Sequence, residues 1–170
     1  AVNNYVCLGS TESPCPDANL FRIIGVFGDQ VKVIRATSIG NMAWDNSSAN
    51  NGEGSNTWST SSLNTYLNGE YLTSLGTLSD KIATTTWKVG GNTDENIRLV
   101  VPSVVYTNEI TNPDASNSTD NAAEYSAKIG LMYVSDYGFA AEPRAWTVAP
   151  GIGSRTFKNW LRLGSEWTIT

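Results

Sequence analysis

Residues 20–35 read LFRIIGVFGDQVKVIR, and this stretch predicts a β-hairpin. Leu20–Phe27 and Gln30–Arg35 are rich in β-branched and aromatic side chains, which favour extended structure. Gly28 and Asp29 separate the two runs, and glycine at the first turn position supplies the positive φ that a tight hairpin requires. The hairpin therefore anchors the interpretation of the segments on either side of it.

On the N-terminal side, residues 4–8 predict a further strand, which leads into a polar loop between Cys7 and Cys15. A glycine and prolines in this stretch favour turns, which can bring the two sulfurs within bridging distance. The chain contains no histidine, so a disulfide suits this pair of cysteines better than a metal site does. The alternative is a pair of free thiols in a cytosolic protein.

On the C-terminal side, two short helices are predicted. The first lies within residues 61–69, where a serine can cap the start and an Asn-Gly pair ends it. Leu63, Tyr66 and Leu67 fall on one face of it at helical spacing. The second helix is expected within residues 72–83. Both helices need a partner surface, because such short helices are marginal on their own.

The second half of the chain supplies the remaining strands. Residues 84–91 predict extended structure, and residues 97–106 predict a strand that is interrupted at Pro102. Residues 128–134 read KIGLMYV and form the most core-like strand candidate, with a helical turn after it. The alternating Trp and Ile of residues 166–170 predict a C-terminal strand with one buried face.

The order of these elements predicts an α+β fold with short helices and long polar loops. At 170 residues the chain can form one domain with a buried core. No internal repeat or linker divides it. We therefore expect a single domain over 1–170, with an N-terminal strand and cysteine loop in 1–19 and the main core in 20–170.

The sparse charge of the chain limits its partners. Charged residues make up only 16% of the chain and the net charge is −5, with no Lys/Arg cluster. This argues against nucleic acid and against binding a membrane surface through basic residues. No apolar run approaches the roughly 18 residues that span a bilayer, so membrane insertion is not expected. Abundant neutral polar residues, and a start at Ala1 rather than Met, predict an extracellular or bacterial cell-surface protein.

The absence of histidine also bears on catalysis. It removes the usual general base, the Ser-His and Cys-His nucleophile systems, and the commonest ligand of zinc and iron sites. No phosphate-binding loop motif is present. The acidic residues of the second half do not converge, by their spacing, on a pair suited to glycoside hydrolysis. The sequence therefore predicts a protein that is not an enzyme.

Calcium is the one cofactor that the sequence leaves open. Asp114, Asn117 and Asp120 alternate oxygen-bearing side chains, which a hard cation prefers. Asp45, Asn46 and Glu53 form a similar stretch in an earlier loop. Neither stretch has the order of an EF-hand loop, and solvated polar loops are the simpler interpretation.

Tryptophans are the candidate ligand-binding residues. The chain has six Trp and seven Tyr, and Trp rings stack on the faces of sugars. Trp44, Trp87 and Trp146 adjoin predicted loops and are the candidates for such a site. The other three tryptophans sit beside apolar residues in predicted regular segments, so core packing explains them.

Three segments carry a resemblance to a known family. Residues 58–72 read WSTSSLNTYLNGEYL and resemble the W-x-x-S-x-L-x-x-[WY]-L-N-x-x-[FY] core of a family of uncharacterised bacterial extracellular Trp-rich domains. Residues 128–140 are similar to that family's strand-then-helix segment, and residues 159–162 (NWLR) are similar to its WLR strand. The resemblance implies a C-type-lectin-like fold with a mixed or antiparallel sheet, and it implies no particular activity.

The sequence also differs from proteins of this fold and family in three respects. The oxidising cysteine pair of formylglycine-generating enzymes, which share the C-type-lectin-like fold, has no counterpart here. Residues 142–144 (EPR) match the Glu-Pro-Asn of animal lectins only in part. The family continues past the WLR region into a glycine-containing hairpin and a closing strand, whereas this sequence stops at Thr170.

Two functions follow as expectations. The first is a binding or adhesion domain of the cell surface, whose loops recognise a surface glycan or a protein ligand. The alternative is a self-assembling structural subunit of a surface filament or pilus-like assembly, whose partners are copies of itself. An incomplete sheet would favour assembly, because an open edge invites a strand from a neighbour.

Overall fold

The computed structural model describes residues 3–92, 101–111, 123–147, 160–161 and 166–169. This part of the chain has the predicted α+β class. Its strands are β1 (Tyr5–Cys7), β2 (Leu20–Phe27), β3 (Gln30–Arg35), β4 (Thr85–Val89) and β5 (Ala123–Ala127). Its α-helical segments are α1 (Ala49–Gly52), α2 (Ser62–Tyr66), α3 (Leu72–Ser74), α4 (Pro102–Tyr106) and α5 (Val134–Phe139). Wider π turns occupy Leu67–Tyr71 and Thr107–Thr111, and 3₁₀ turns occupy Asp17–Asn19, Trp58–Thr60, Gly76–Lys81 and Pro143–Ala145.

The predicted hairpin is confirmed and forms the centre of the first sheet. The strand order is β1-β2-β3, all antiparallel, and Phe27 pairs with Gln30 across the turn. Gly28 takes a φ of 63°, the left-handed conformation that the turn demands. At the edge of this sheet, Cys7 is disulfide-bonded to Cys15, so the predicted pairing is also confirmed.

The first predicted helix forms, but its predicted end is wrong. Ser61 caps α2 by accepting a hydrogen bond from the Asn64 amide at 3.1 Å. The chain then stays helical through Asn68 and the following glycine, in a wide π turn that leads into α3. The Asn68 side chain donates to the Ile129 carbonyl at 2.9 Å and accepts from the Ile129 amide at 3.0 Å. This tertiary pairing outweighs the local preference of Asn-Gly for ending a helix.

In the second sheet, β4 is confirmed and pairs antiparallel with β5. The strand predicted at residues 128–134 is wrong, because β5 ends at Ala127. Gly130 lies so close to the Trp87 ring that an added Cβ would be 2.4 Å from a ring carbon. The segment therefore crosses the face of Trp87 as irregular backbone, with Ile129 held by the side-chain bonds described above. It makes a parallel bridge from Met132 to Thr168 before α5 begins.

The strand predicted at residues 97–106 is also wrong where the structure describes it. Pro102 is the first residue of α4, a position where its missing N–H costs no hydrogen bond. Residues 107–111, which follow α4 directly, form a π turn that contains Glu109. The buried Glu109 carboxylate accepts from the Val134 and Ser135 amides, each at 3.0 Å, and so satisfies the start of α5.

Residues 166–169 lie against the end of β4 and the segment before α5 rather than forming a regular strand. The Ile169 amide donates to the Met132 carbonyl at 3.1 Å, and the Gly90 amide donates to the Ile169 carbonyl at 3.2 Å. Ile169 is buried, as predicted. Trp167 was expected in the core but is 53% exposed, so that expectation is wrong.

Two clusters of buried side chains form the core. The first contains Trp58, Leu63, Leu67 and Ile169, so the leucines of α2 pack against Trp58 and the C-terminal segment. The second contains Met132, Tyr137, Ala140 and Leu161. The guanidinium of the buried Arg22 donates to the carbonyls of Trp160 and Leu161 at 2.8 and 3.3 Å, which ties the first sheet to the second cluster.

Lys32 of β3 joins the two sheets and α5. Its ammonium lies 2.5 Å from an Asp136 carboxylate oxygen, and both side chains are largely buried, at 15% and 12% exposure. It also lies 4.6 Å from the ring centre of Tyr133 and 5.8 Å from that of Trp87. The Tyr133 hydroxyl accepts from the Lys88 amide of β4 at 2.8 Å, and burial raises the pKa of Tyr133 to about 12. Tyr133 therefore stays neutral at pH 7.

No helix in the described part of the chain has both the length and the apolar character to cross a membrane.

Leu67→Ala should lower the free energy of unfolding by about 2–5 kcal/mol, because it removes a buried side chain from the first core cluster. Thr65→Ala is the matched control on the exposed side of α2, where substitutions usually change stability by less than about 0.5 kcal/mol. Urea unfolding followed by tryptophan fluorescence measures both. A loss below about 0.5 kcal/mol for Leu67→Ala would contradict the packing of α2.

Candidate functional site

Trp44, the first candidate tryptophan, belongs to an aromatic stack at the edge of the core. Its ring centre lies 5.3 Å from that of the buried Trp58 and 5.8 Å from that of Trp167. The exposed Trp167 ring is fixed in turn, because its indole N–H donates to the Met42 carbonyl at 2.9 Å. Trp44 is thus enclosed by other aromatic rings, and Trp167 presents the solvent-facing surface of the stack.

Trp87, the second candidate, is half-buried and packs against the first core cluster. Its indole N–H donates to the Ala127 carbonyl at 3.1 Å, and its ring is covered by Gly130 on one side. The Lys32 ammonium and the Tyr133 ring, 6.4 Å away between centres, are its other neighbours. These contacts give Trp87 a role in holding the two sheets together.

Trp146, the third candidate, is 37% exposed and contributes to a surface cluster. Its indole N–H donates to the Ala141 carbonyl at 3.0 Å. Its ring meets Phe139 edge-to-face at 5.5 Å, and Phe139 meets Tyr106 in the same way at 6.0 Å. We call Tyr106, Phe139 and Trp146 the aromatic patch. Within the residues that the structure describes, the three candidate tryptophans make no ring contact with one another.

A surface cavity lies between the loop that begins at Asp45 and the outer side of α2, and none of the three candidate tryptophans lines it. It is an open groove of about 430 Å³. We call it the polar groove. Its lining consists of Asp45, Asn46, Ser47, Thr60, Ser62, Thr65, Tyr66, Gly69 and Glu70.

One wall of the polar groove follows a helical face. Residues 62, 65, 66, 69 and 70 recur at i, i+3, i+4, i+7 and i+8, and the helical conformation from α2 through the π turn keeps them on one side. The neighbouring Leu63 and Leu67 face the core, and Tyr66, expected on their face, lies at its border, where it packs against the core and also lines the groove. The polar face has the same helical spacing in the sequence as the leucines, so the sequence also indicates it.

Asp45 builds the opposite wall. One carboxylate oxygen accepts from the backbone amides of Ser47 and Ser62, each at 3.2 Å. The other accepts from the Ser47 hydroxyl at 2.6 Å and from the Ser55 amide at 2.7 Å. These bonds, led by that of the Ser47 hydroxyl, hold the pKa of Asp45 well below its usual range. The carboxylate therefore stays ionised and folds the loop against α2.

This arrangement gives Asp45 a different role from the calcium ligand considered for this loop. Both of its oxygens already accept hydrogen bonds, three of them from backbone amides that a cation would leave without a partner. In the described part of the chain, no three His, Cys, Asp or Glu side chains are grouped so that they could hold a metal ion. Asp114, Asn117 and Asp120 lie outside the described residues.

Tyr66 gives the groove its aromatic surface. Its ring stacks on that of Tyr71, with centres 6.3 Å apart and planes inclined by 30°. Tyr66 is half-buried, whereas Asn46 and Glu70 on either side of the groove are exposed. The residues lining the groove include two carboxylates and no lysine or arginine.

Compared with known protein families, curated proteins and solved structures, the chain has no match. The resemblance to the Trp-rich extracellular family and to the C-type-lectin-like fold therefore stays a prediction.

Asp45→Asn should destabilise the protein at neutral pH, and the difference from the wild type should shrink as the pH falls below about 4. The reason is the lowered pKa of Asp45 in the folded state, which adds stability above the unfolded-state pKa and loses it as the carboxylate becomes protonated. Urea unfolding at several pH values measures this dependence. Asp29→Asn at the exposed hairpin turn is the matched control. A wild-type-to-variant difference that stays constant with pH would contradict this role of Asp45.

Proposed function

We propose that this chain is a non-enzymatic recognition domain of the bacterial cell surface, and that it binds a glycan in the polar groove. The observation that carries the proposal is the lining itself, which combines hydroxyl, amide and carboxylate groups with one tyrosine ring. Sugars present hydroxyls around an apolar ring face, and such a lining complements both. The groove volume of about 430 Å³ falls within the range typical of small-molecule sites.

Rigid support strengthens the proposal. Leu63 and Leu67 fix one wall to the core, and the four hydrogen bonds to Asp45 fix the other. A preformed site does not have to be ordered when the ligand binds, which favours affinity.

The chemistry of the groove favours binding over catalysis. A general base or nucleophile needs an oxygen that is free to reach the substrate, whereas both Asp45 oxygens are engaged by the protein. Glu70 is the other carboxylate of the lining, so the groove lacks the second free acid that glycoside hydrolysis uses.

The disulfide and the low content of charged residues support an extracellular location. The Trp-rich family and the C-type-lectin-like fold are part of this proposal. Trp146 and the rest of the aromatic patch would then offer a second surface, suited to a protein ligand, because aromatic side chains are enriched at the centres of protein interfaces.

Assembly into a filament is the second candidate, and one region of the structure favours it. Val26, Phe27 and Val31 at the hairpin tip are 69%, 57% and 55% exposed. In the described part of the chain, no strand pairs with the outer edge of β3. An exposed apolar tip beside an open edge is suited to strand addition. Filaments in negative-stain images of the purified protein would support this candidate, and dispersed particles would support recognition.

Gly69→Leu should abolish glycan binding without unfolding the protein. Gly69 lines the groove in a helical conformation, and an added Cβ meets no atom within 4 Å, so the larger side chain enters open space. The measurement is binding of the fluorescently labelled protein to a printed glycan array, with circular dichroism to verify the fold. Gly69→Ala is the matched control, which should fold at least as well as the wild type and still bind. No binding of the wild type to any glycan, or equal binding by Gly69→Leu, would overturn the proposal.

A further inference from the structure

We propose that the polar groove selects neutral or amino-bearing sugars over acidic ones, and that it does so without a calcium ion. This inference rests on the proposed glycan-binding function and names the class of glycan. Two independent features of the lining support it: the direction of its hydrogen bonds and its charge.

The threonine hydroxyls of the lining already donate hydrogen bonds to backbone carbonyls. Thr60 Oγ1 donates to the Thr57 carbonyl at 3.3 Å, and Thr65 Oγ1 donates to the Ser61 carbonyl at 3.1 Å. A carbonyl oxygen can only accept, so in both pairs the hydroxyl must be the donor. Each threonine oxygen is therefore left to the groove as an acceptor.

The carboxylate of Glu70 adds further acceptors to the same wall. An acceptor-rich surface binds ligands that bring donors, such as sugar hydroxyls and the ammonium groups of amino sugars. Carboxylate and sulfate groups bring only acceptors at neutral pH. Beside the threonine and Glu70 oxygens, two acceptors would therefore face each other with no proton between them. Ser62 Oγ accepts from the Asn46 amide and keeps its own proton as a donor, so the lining offers both kinds of group, and its hydrogen bonds favour donor-bearing sugars without excluding acidic ones.

Charge acts in the same direction. Asp45 and Glu70 place negative charge on both walls, and no lysine or arginine is among the lining residues. The cations whose contacts the structure describes are engaged elsewhere. They bind backbone carbonyls, carboxylates or a threonine hydroxyl outside the groove: Arg22, Lys32, Arg35, Lys88, Lys128 and Arg144. An acidic sugar would therefore meet repulsion without a compensating cation.

The calcium-independence follows from how Asp45 is bonded. A calcium ion takes carboxylate oxygens as ligands, so a calcium-dependent site in this groove would need the Asp45 oxygens to turn toward the ion. Here the Asp45 oxygens accept from the backbone amides of Ser47, Ser55 and Ser62. Moving the carboxylate to a cation would break these bonds and unfold the loop that forms the wall.

The experiment compares the labelled wild-type protein on neutral, amino-bearing, sialylated, uronic and sulfated glycans, with and without EDTA. We expect binding to neutral or amino-bearing glycans, at least tenfold weaker binding to acidic ones, and no change with EDTA. Glu70→Gln should reduce the discrimination against acidic glycans severalfold. Glu53→Gln removes the same charge from an exposed residue outside the lining and should leave the discrimination unchanged.

The two proposals fail in different ways. Preference for acidic glycans, or loss of binding in EDTA, would overturn the selectivity inference while leaving glycan recognition in place. Equal discrimination in Glu70→Gln and the wild type would also overturn it. Absence of binding to every glycan, or binding that Gly69→Leu does not alter, would overturn glycan recognition and the selectivity with it.

Discussion

The contact of Lys32 with Asp136 is the interaction on which the rest of the structure depends. In the described part of the chain the two sheets share no strand, so side chains must join them. Lys32 extends from β3 of the first sheet to the carboxylate of Asp136 in α5, between the rings of Tyr133 and Trp87. Asp136 also accepts from the Tyr133 amide at 2.8 Å, so the same carboxylate that neutralises Lys32 begins the helix. A buried charge pair stabilises a fold only when such extra bonds offset its desolvation.

The polar groove is connected to this contact through the irregular segment before α5. Tyr133 ties that segment to β4 through its hydroxyl, and Ile129 ties it to Asn68 through two hydrogen bonds. Asn68 precedes Gly69 in the π turn, and Gly69 is part of the helical wall of the groove. A surface site with modest depth can be selective when its walls are fixed in this way, because the donors and acceptors keep their directions.

Local signals explain what could be predicted from the sequence. The hairpin at Gly28, the capped helix after Ser61 and the Cys7–Cys15 pair each depend on neighbouring residues, and each is present. The apolar pattern of residues 128–134 predicts a strand. The prediction fails because any buried segment, regular or irregular, can share that pattern. At Ile129, hydrogen bonds to the Asn68 side chain replace strand pairing. Asn68 lies about sixty residues earlier, so the local sequence around Ile129 cannot predict these bonds.

The candidate site was predicted less well than the fold, for a related reason. Residue type alone made the tryptophans candidates for a ligand site. In the structure, Trp44 and Trp87 serve in packing instead. The groove arises where two segments meet, so only its helical face could be recognised in the sequence. The buried carboxylate of Glu109 illustrates the same limit, since an acidic residue in a polar stretch gives no sign that it will cap a distant helix.

A double-mutant cycle measures most directly whether Lys32 and Asp136 act as one unit. It compares the unfolding free energies of the wild type, Lys32→Met, Asp136→Asn and the double variant. Each single change should cost about 3–5 kcal/mol, because it leaves the other charge or its partners buried without compensation. The coupling energy should be about 1–3 kcal/mol, as for side chains in one network. Costs that add to within about 0.5 kcal/mol would contradict the view that this contact holds the two sheets and α5 together.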